Sequence, residues 1–487
     1  MKVALIGAGP SAFGALARLV ALKQAGERLE ITVFSTGDVD QENQISTAYK
    51  SAHTDQDINA ALVADTTAGI MPARRFFDRA VQDHRGDTVK TGIKVSSTFG
   101  GLGNYWSGSV FPVHALHDPL TAILGDLSAH YRFIGERMPV AGQVDDALAA
   151  FFDPGSINHP PIDIATGLEK LTIRTDGFAL GRNRFALNSH AHESHGCTQC
   201  GDCLYGCPRD ALFRAANPIA AFAAAGQCRI AYEKVFTVNS VAGKVQIKTA
   251  GQTHTFDRAF VCTGALGTVE LLGRSYPAPD KPVYIFDNLL WYFPVFSLMP
   301  QRTRLKSKAF GFAELAGGVF NHADHSYNHV LISTLPQAVF DKRFGRSGFS
   351  KALTGLLSRH LIIGAMYGSH EQYARYRIEQ RGDGWQAVDR ETSTDTIDLR
   401  QFSVLQQHLA RCGWRTSAKL AQANDTSGHY TANLGSAYGL KGLAKTGAFD
   451  DNLFVCDSST WNSASMSQQH TFTIMANASK IVQAAFS

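Results

Sequence analysis

The stretch that decides the fold is MKVALIGAGPSAFGALARLV, residues 1–20. Residues 2–7, KVALIG, form the short apolar run of a buried parallel strand. A glycine-rich turn follows, and then Phe13, Leu16, Leu19 and Val20 recur at helical spacing. LEITVF, residues 29–34, supplies a second β-branched strand, so a βαβ unit of about thirty residues is complete. Within it Gly7, Gly9 and Ala12 fit G-x-G-x-x-A. The first glycine permits the tight turn, the second lets the backbone approach a pyrophosphate, and the small third residue lets helix pack on strand. These residues are the expected dinucleotide site. The end of the second strand, where an acidic residue usually holds the ribose, is Ser35, whose hydroxyl can make one of the same hydrogen bonds.

Outward from this unit the pattern returns. DRAFVCTGALGTVELLGRS, residues 257–275, again reads strand, turn and helix, and places Thr263 and Gly264 at a second cofactor-facing turn. From about 278 to 420 the texture becomes the alternation of an antiparallel sheet, as in HVLIST, LIIGAMYGS and ARYRIEQ. The C-terminal NLFVCDSST and HTFTIMANASKIVQAAF read as strand and helix once more. The expectation is an α/β nucleotide-binding domain over 1–277 with a cysteine-rich insert around 190–212. A substrate domain over 278–420 follows, and 421–487 returns to the first domain.

The chain has 487 residues, with 44% hydrophobic and 18% charged side chains and a formal charge of +4. That is globular composition. No basic run interleaved with aromatics points to nucleic acid. The longest apolar stretches, such as NLLWYFPVFSLMP at 288–300, fall short of the ~20 residues of a membrane span. The N-terminus reads as strand and glycine turn rather than as a secretory signal, so a cytoplasmic, reducing address is expected.

Four stretches resemble the glucose–methanol–choline (GMC) oxidoreductases: ALIGAGPSAFGALARL at the start, FGGLGNYWSG at 99–108, AFVCTGALGTVELL at 259–272, and the C-terminal HYTANLG, NLFVCDSSTW and HTFTIMANASKI. The resemblance implies an FAD-binding domain built from discontinuous segments, a separate antiparallel substrate sheet, and oxidation of an alcohol by hydride transfer to flavin. The substrate class it implies is a small alcohol, of a sugar or related polyol. It also implies that Gly100, Gly101, Asn104, Tyr105 and Trp106 lie against the isoalloxazine, and that Asp457 and Ser458 reach its ribityl or phosphate region. The loop at 99–108 has no histidine, so FAD is expected to be non-covalent. A neutral histidine is the side chain best matched to take the hydroxyl proton. His429, in SGHYTANLG, occupies the position of the family's first active-site histidine. The second active-site position falls on Gln469 or, one residue later, His470.

CTQCGDCLYGCP, residues 197–208, has the ferredoxin spacing C-x2-C-x2-C-x3-C-P at Cys197, Cys200, Cys203 and Cys207. A [4Fe-4S] cluster is the expected occupant, with a thiol or disulfide loop and a zinc site as the other readings. The neighbouring His190, His192 and His195 read as solvated loop residues. If the cluster is present, the enzyme is a dehydrogenase passing electrons to an unidentified acceptor. The alternatives are a flavin-dependent isomerase or lyase working through a transient ketone, and a non-catalytic electron-transfer subunit.

Overall fold

The computed structural model describes residues 1–37, 81–84, 93–112, 119–199, 207, 209–300, 313–321, 323, 326–334, 352, 356–357, 359–381, 384–423, 428–464 and 467–487. At its centre is a six-stranded sheet in the order Ala448–Asp450, Leu453–Val455, Arg258–Val261, Lys2–Ile6, Glu30–Phe34, Arg229–Ala231. The pairs inside it are parallel, and only the edge strand Ala448–Asp450 runs antiparallel. Lys2–Ile6 and Glu30–Phe34 are buried along all but their first residue, because helices cover both faces. Alternation divides the side chains. Val3, Leu5, Val33 and Phe260 pack beneath the helices Pro10–Gln24 and Thr471–Ala485. Ala4, Ile6, Ala259 and Val261 pack beneath Gly264–Ser275 on the other side. The chain therefore enters one sheet from its start, its middle and its end, as the repeated strand–turn–helix pattern implies.

The second layer is antiparallel. Its main path runs Trp414–Arg415, Leu290–Ser297, Leu361–Tyr367, Ser326–Thr334, Leu315–Asn321, Phe178–Arg182, Ile173–Thr175, with Gln422–Ala423 also paired to Leu290–Ser297. The sheet thus also draws two strands from residues 173–182. Helix Leu399–Arg411 packs Phe402, Leu405 and Leu409 onto Trp291, Phe293 and Val295 of one face. Pro294 is tolerated within its strand because the partner on one side is interrupted there. Gln422–Ala423 pairs with residues 291 and 292 and Trp414–Arg415 with 296 and 297, so no ladder donor is required between them.

A four-stranded sheet in the order Gly384–Thr392, Tyr373–Arg381, Val283–Asn288, Tyr430–Ala432 joins the two layers. Among the described residues no helix is long and apolar enough to cross a membrane.

Helices Pro10–Gln24 and Thr471–Ala485 cross at Gly14, where an added Cβ would stand 2.1 Å from the Met475 carbonyl oxygen. Backbone cannot yield as a side chain can. Gly14→Ala is expected to cost about 1–3 kcal/mol of stability, read as a lower urea midpoint. Gly251→Ala, with open space around it, is expected to stay within about 0.5 kcal/mol of the parent.

Candidate active site

The sequence-predicted cofactor residues gather at the carboxyl ends of the parallel strands, where α/β sheets bind ligands. Gly7 follows Lys2–Ile6 with φ +112°, and a Cβ there would stand 2.4 Å from the Cys262 carbonyl oxygen. Gly9 precedes helix Pro10–Gln24, and no side chain caps the helix amides. Ala12 is buried beneath them. The short helix Gly101–Tyr105 lies against this turn. A Cβ on Gly103 would meet Pro10, and one on Gly9 would stand 3.6 Å from the Gly100 carbonyl oxygen. Gly100 and Gly101 both take left-handed backbone, φ +100° and +60°.

Asn104 is buried in this loop and donates to the Phe99 carbonyl at 2.7 Å, while its own Oδ1 has no partner among the described residues. Trp106 donates its indole N–H to the Phe213 carbonyl at 2.8 Å. Of Tyr105, the backbone belongs to the short helix.

Asp457 stands at the end of Leu453–Val455 and accepts from the Gly264 amide at 2.9 Å, the Thr268 hydroxyl at 2.5 Å and the Ser459 amide at 3.1 Å. Burial pushes its carboxyl above the ordinary value, opposed by these bonds. Thr263 and Thr268 share a hydroxyl contact of 2.8 Å, and Ser458 donates to the Tyr430 carbonyl at 2.7 Å. The Ser35 hydroxyl closes its own turn, donating to the Gly37 carbonyl at 2.9 Å.

The histidines lie where the four-stranded sheet meets the start of the last helix. Asp287 pairs with Tyr430, so the antiparallel register sets Asn288 opposite His429. The Asn288 amide nitrogen lies 3.5 Å from His429 Nδ1, at the outer limit of a hydrogen bond, and does not fix the tautomer of the ring. His470 immediately precedes helix Thr471–Ala485, and its ring centroid is 5.3 Å from that of His429. The structure therefore faces His470 toward His429, while Gln469 faces the Tyr367 hydroxyl. Tyr367 itself stacks 6.1 Å from His429, and Trp461 stands 5.8 Å from His470.

His429 retains partial access to solvent, yet protein surrounds it closely enough that desolvation pulls its pKa down to about 4. Burial, and then the neighbouring His429, pull His470 to about 3. Both rings are neutral at pH 7.

A third histidine belongs to the group. His329 is fully buried on strand Ser326–Thr334, with its ring 5.8 Å from Tyr367. Tyr327 donates its hydroxyl proton to the Gly317 carbonyl at 3.1 Å and lies 2.7 Å from His329 Nδ1. Burial pulls the His329 pKa to about 3. In sequence, HVLIST reads as apolar alternation. The signal available was the spacing of Tyr327 and His329, two polar residues on the buried face of one strand.

Of the cysteine run, Cys200 and Cys203 lie outside the described residues. Cys197 and Cys207 pack with Trp106 on a small core of Phe185, Leu187 and Leu212, and burial pushes the Cys197 thiol up. No disulfide occurs among the described cysteines. Cys262 and Cys456 are buried at the ends of neighbouring strands, whereas Cys228 and Cys412 are partly exposed.

No family model matches the sequence, and no curated protein sequence is similar to it. Solved structures share its architecture. Pyridoxine 4-oxidase from Mesorbium loti superposes with a TM-score of 0.54 at 13% identity, covering 99% of this chain and 98% of that one. Formate oxidase from Aspergillus oryzae RIB40 superposes with a TM-score of 0.50 at 10% identity, covering 99% and 97%. The chain has the GMC oxidoreductase fold. The GMC architecture accounts for the return of the last helix to the first sheet, and for the antiparallel sheet beside it.

The three desolvated histidines set a pH dependence. Each has a folded pKa below its unfolded value of about 6.5, so the unfolded chain binds more protons between roughly pH 3 and 6.5. Stability is then complete above pH 6.5 and is lost on acidification through that window. The urea midpoint is expected to fall steadily from pH 7 to pH 5, and His329→Asn is expected to make that fall shallower.

Proposed function

We propose that this protein is an FAD-dependent oxidoreductase that oxidises the CH–OH group of a small alcohol, a sugar or related polyol within that class. The observation that carries the proposal is the neutral His429–His470 pair on the substrate side of a dinucleotide turn. Residues of the site fit a flavin dinucleotide. The uncapped amides of helix Pro10–Gln24 suit a pyrophosphate, and the left-handed glycines at 100 and 101 let backbone lie close to a flat ring. Asn104 Oδ1, Gln469 Oε1 and His470 Nδ1 are buried polar atoms with no partner among the described residues, as expected of groups that bond to a cofactor or substrate.

Bound FAD would supply the hydride acceptor. The chain's own work is to hold the alcohol and take its proton. His429, neutral and reachable, accepts the hydroxyl proton, and Asn288 and the Tyr367 ring hold the imidazole in place. His470 is close enough to His429 to bond the same substrate oxygen. Desolvation, and for His470 also the neighbouring His429, disfavours the charged ring, and negative charge developing on the substrate oxygen raises the basicity of both. Tyr367 and Trp461, packed against His429 and His470, help to exclude water and so strengthen these interactions.

The destination of the electrons is the finer part of the proposal. The two solved structures above are oxidases by name. The C-x2-C-x2-C-x3-C-P spacing alone supports instead a dehydrogenase with a [4Fe-4S] cluster on Cys197, Cys200, Cys203 and Cys207. Oxygen reacts with flavin directly and needs no such exit. Net consumption of an artificial acceptor distinguishes either from an isomerase.

His429→Ala is expected to leave FAD bound and to slow anaerobic flavin reduction by about 10²–10⁴-fold. His470→Ala is expected to have a larger effect than Gln469→Ala, and a wild-type rate in His429→Ala would contradict the mechanism. For the electron exit, protein purified without oxygen should contain iron and sulfide, and Cys200→Ser should lose both while substrate still reduces the flavin once. Iron-free wild-type protein ends the dehydrogenase form of the proposal.

A further inference from the structure

We propose a mononuclear divalent transition-metal site, of the zinc class, formed by His190, His192 and Glu193 with His159 as fourth ligand. It lies in the loop that leads into the cysteine run but uses none of its cysteines.

One ligand atom from each of His190, His192 and Glu193 lies within 4.8 Å of the others. Bonds of about 2.0–2.2 Å in a tetrahedral site bring donors to roughly 3.4 Å of one another, so a contraction of little more than an ångström assembles the set. The His192 side chain is exposed and can rotate that far. Two imidazoles and a carboxylate suit zinc and its neighbours rather than calcium or magnesium, which take oxygen ligands.

The backbone of the loop is held independently of any ion. Asn188 is the organiser. Its Oδ1 accepts from the His190 amide at 2.9 Å, its Nδ2 donates to Glu193 Oε2 at 2.6 Å, and its carbonyl accepts from the Cys197 amide at 2.8 Å. The Glu193 amide bonds the His190 carbonyl at 3.0 Å, and the Gly196 amide bonds the Glu193 carbonyl at 3.0 Å. Gly196 is required at the crossing, since a Cβ there would stand 1.8 Å from the His190 carbonyl oxygen. Glu193 thus has one carboxylate oxygen engaged by Asn188, which orients the other, the outer-shell arrangement usual for a metal-binding carboxylate.

His159 comes from a different segment, and its ring is 5.2 Å from that of His190. Its Nδ1 lies 2.7 Å from Asn158 Oδ1, an oxygen that also accepts the Val140 amide at 2.7 Å. The Asn158 amide nitrogen is committed to the Gly135 and Met138 carbonyls, both at 3.0 Å, so the orientation of the amide is fixed. An acceptor therefore faces His159 Nδ1, which must carry the proton, and Nε2 is left as a lone pair for a ligand. A bound ion would tie residues 158–159 to loop 190–193 and so brace the approach to Cys197.

The test is titration of the tag-free full-length protein with Co²⁺, followed by its visible spectrum. The proposal expects one ion bound with d–d bands and no thiolate-to-metal charge transfer from the site. His192→Ala and Glu193→Gln should each weaken binding at least 100-fold, and His159→Ala about 10–100-fold, with flavin content and circular dichroism unchanged as the folding control. Cys200→Ser should leave these bands in place. Wild-type affinity in any of the three ligand variants, no Co²⁺ bound by the parent, or a spectrum that disappears in Cys200→Ser while surviving in His192→Ala would each overturn the assignment.

Discussion

The structure turns on the close approach of backbone to backbone at Gly7. Its amide bonds the Phe34 carbonyl at 2.8 Å, and the Cys262 amide bonds the Ile6 carbonyl at 2.8 Å, so three parallel strands end together around one residue. That residue needs left-handed backbone, and it has the Cys262 carbonyl where a Cβ would be. Only glycine meets both conditions. From this point helix Pro10–Gln24 leaves with its amides uncapped, the loop at 99–105 lies down on it, and the last helix crosses at Gly14. A side chain at position 7 would separate the strands and dissolve the surface on which the cofactor residues converge.

The second constraint is desolvation. Three imidazoles lie near one another, each held neutral by desolvation, and His329 and His470 also by the cost of charging them beside His429. In a catalytic pair this arrangement is useful, since a neutral imidazole can accept a proton and a second stands ready to hold the oxygen that loses it. The same arrangement destabilises the protein in acid. The proposed function and the pH sensitivity thus have one physical origin.

What the sequence showed was local. The βαβ unit at 1–34 is legible because its strand run, glycine turn and helical spacing are contiguous, and the turn chemistry around Gly7, Gly9 and Ala12 has few alternatives. The alternation after residue 278 reads correctly as antiparallel strands. Their partners do not, because pairings such as Ala316 with Gly181 join residues far apart and leave no local mark. Phe178–Arg182 accordingly gave no sign of belonging to that sheet. At the site, His429 was reached through its motif, whereas the neighbouring position stayed divided between Gln469 and His470. A one-residue difference at a helix entry turns the side chain through about 100°, and only the three-dimensional course of 467–471 shows His470 beside His429. His329 was missed for a different reason: its buried polar partner Tyr327 is visible only once the strand has a face.

The central claim is that this fold holds FAD without a covalent bond, between the first glycine turn and the histidine pair. The most direct measurement is the absorption spectrum of the purified protein followed by acid precipitation. Flavin absorbance in the native protein and yellow FAD released into the supernatant are the expected result. Flavin retained in the pellet would contradict the non-covalent claim, and a colourless protein that takes up no added FAD would contradict the account as a whole.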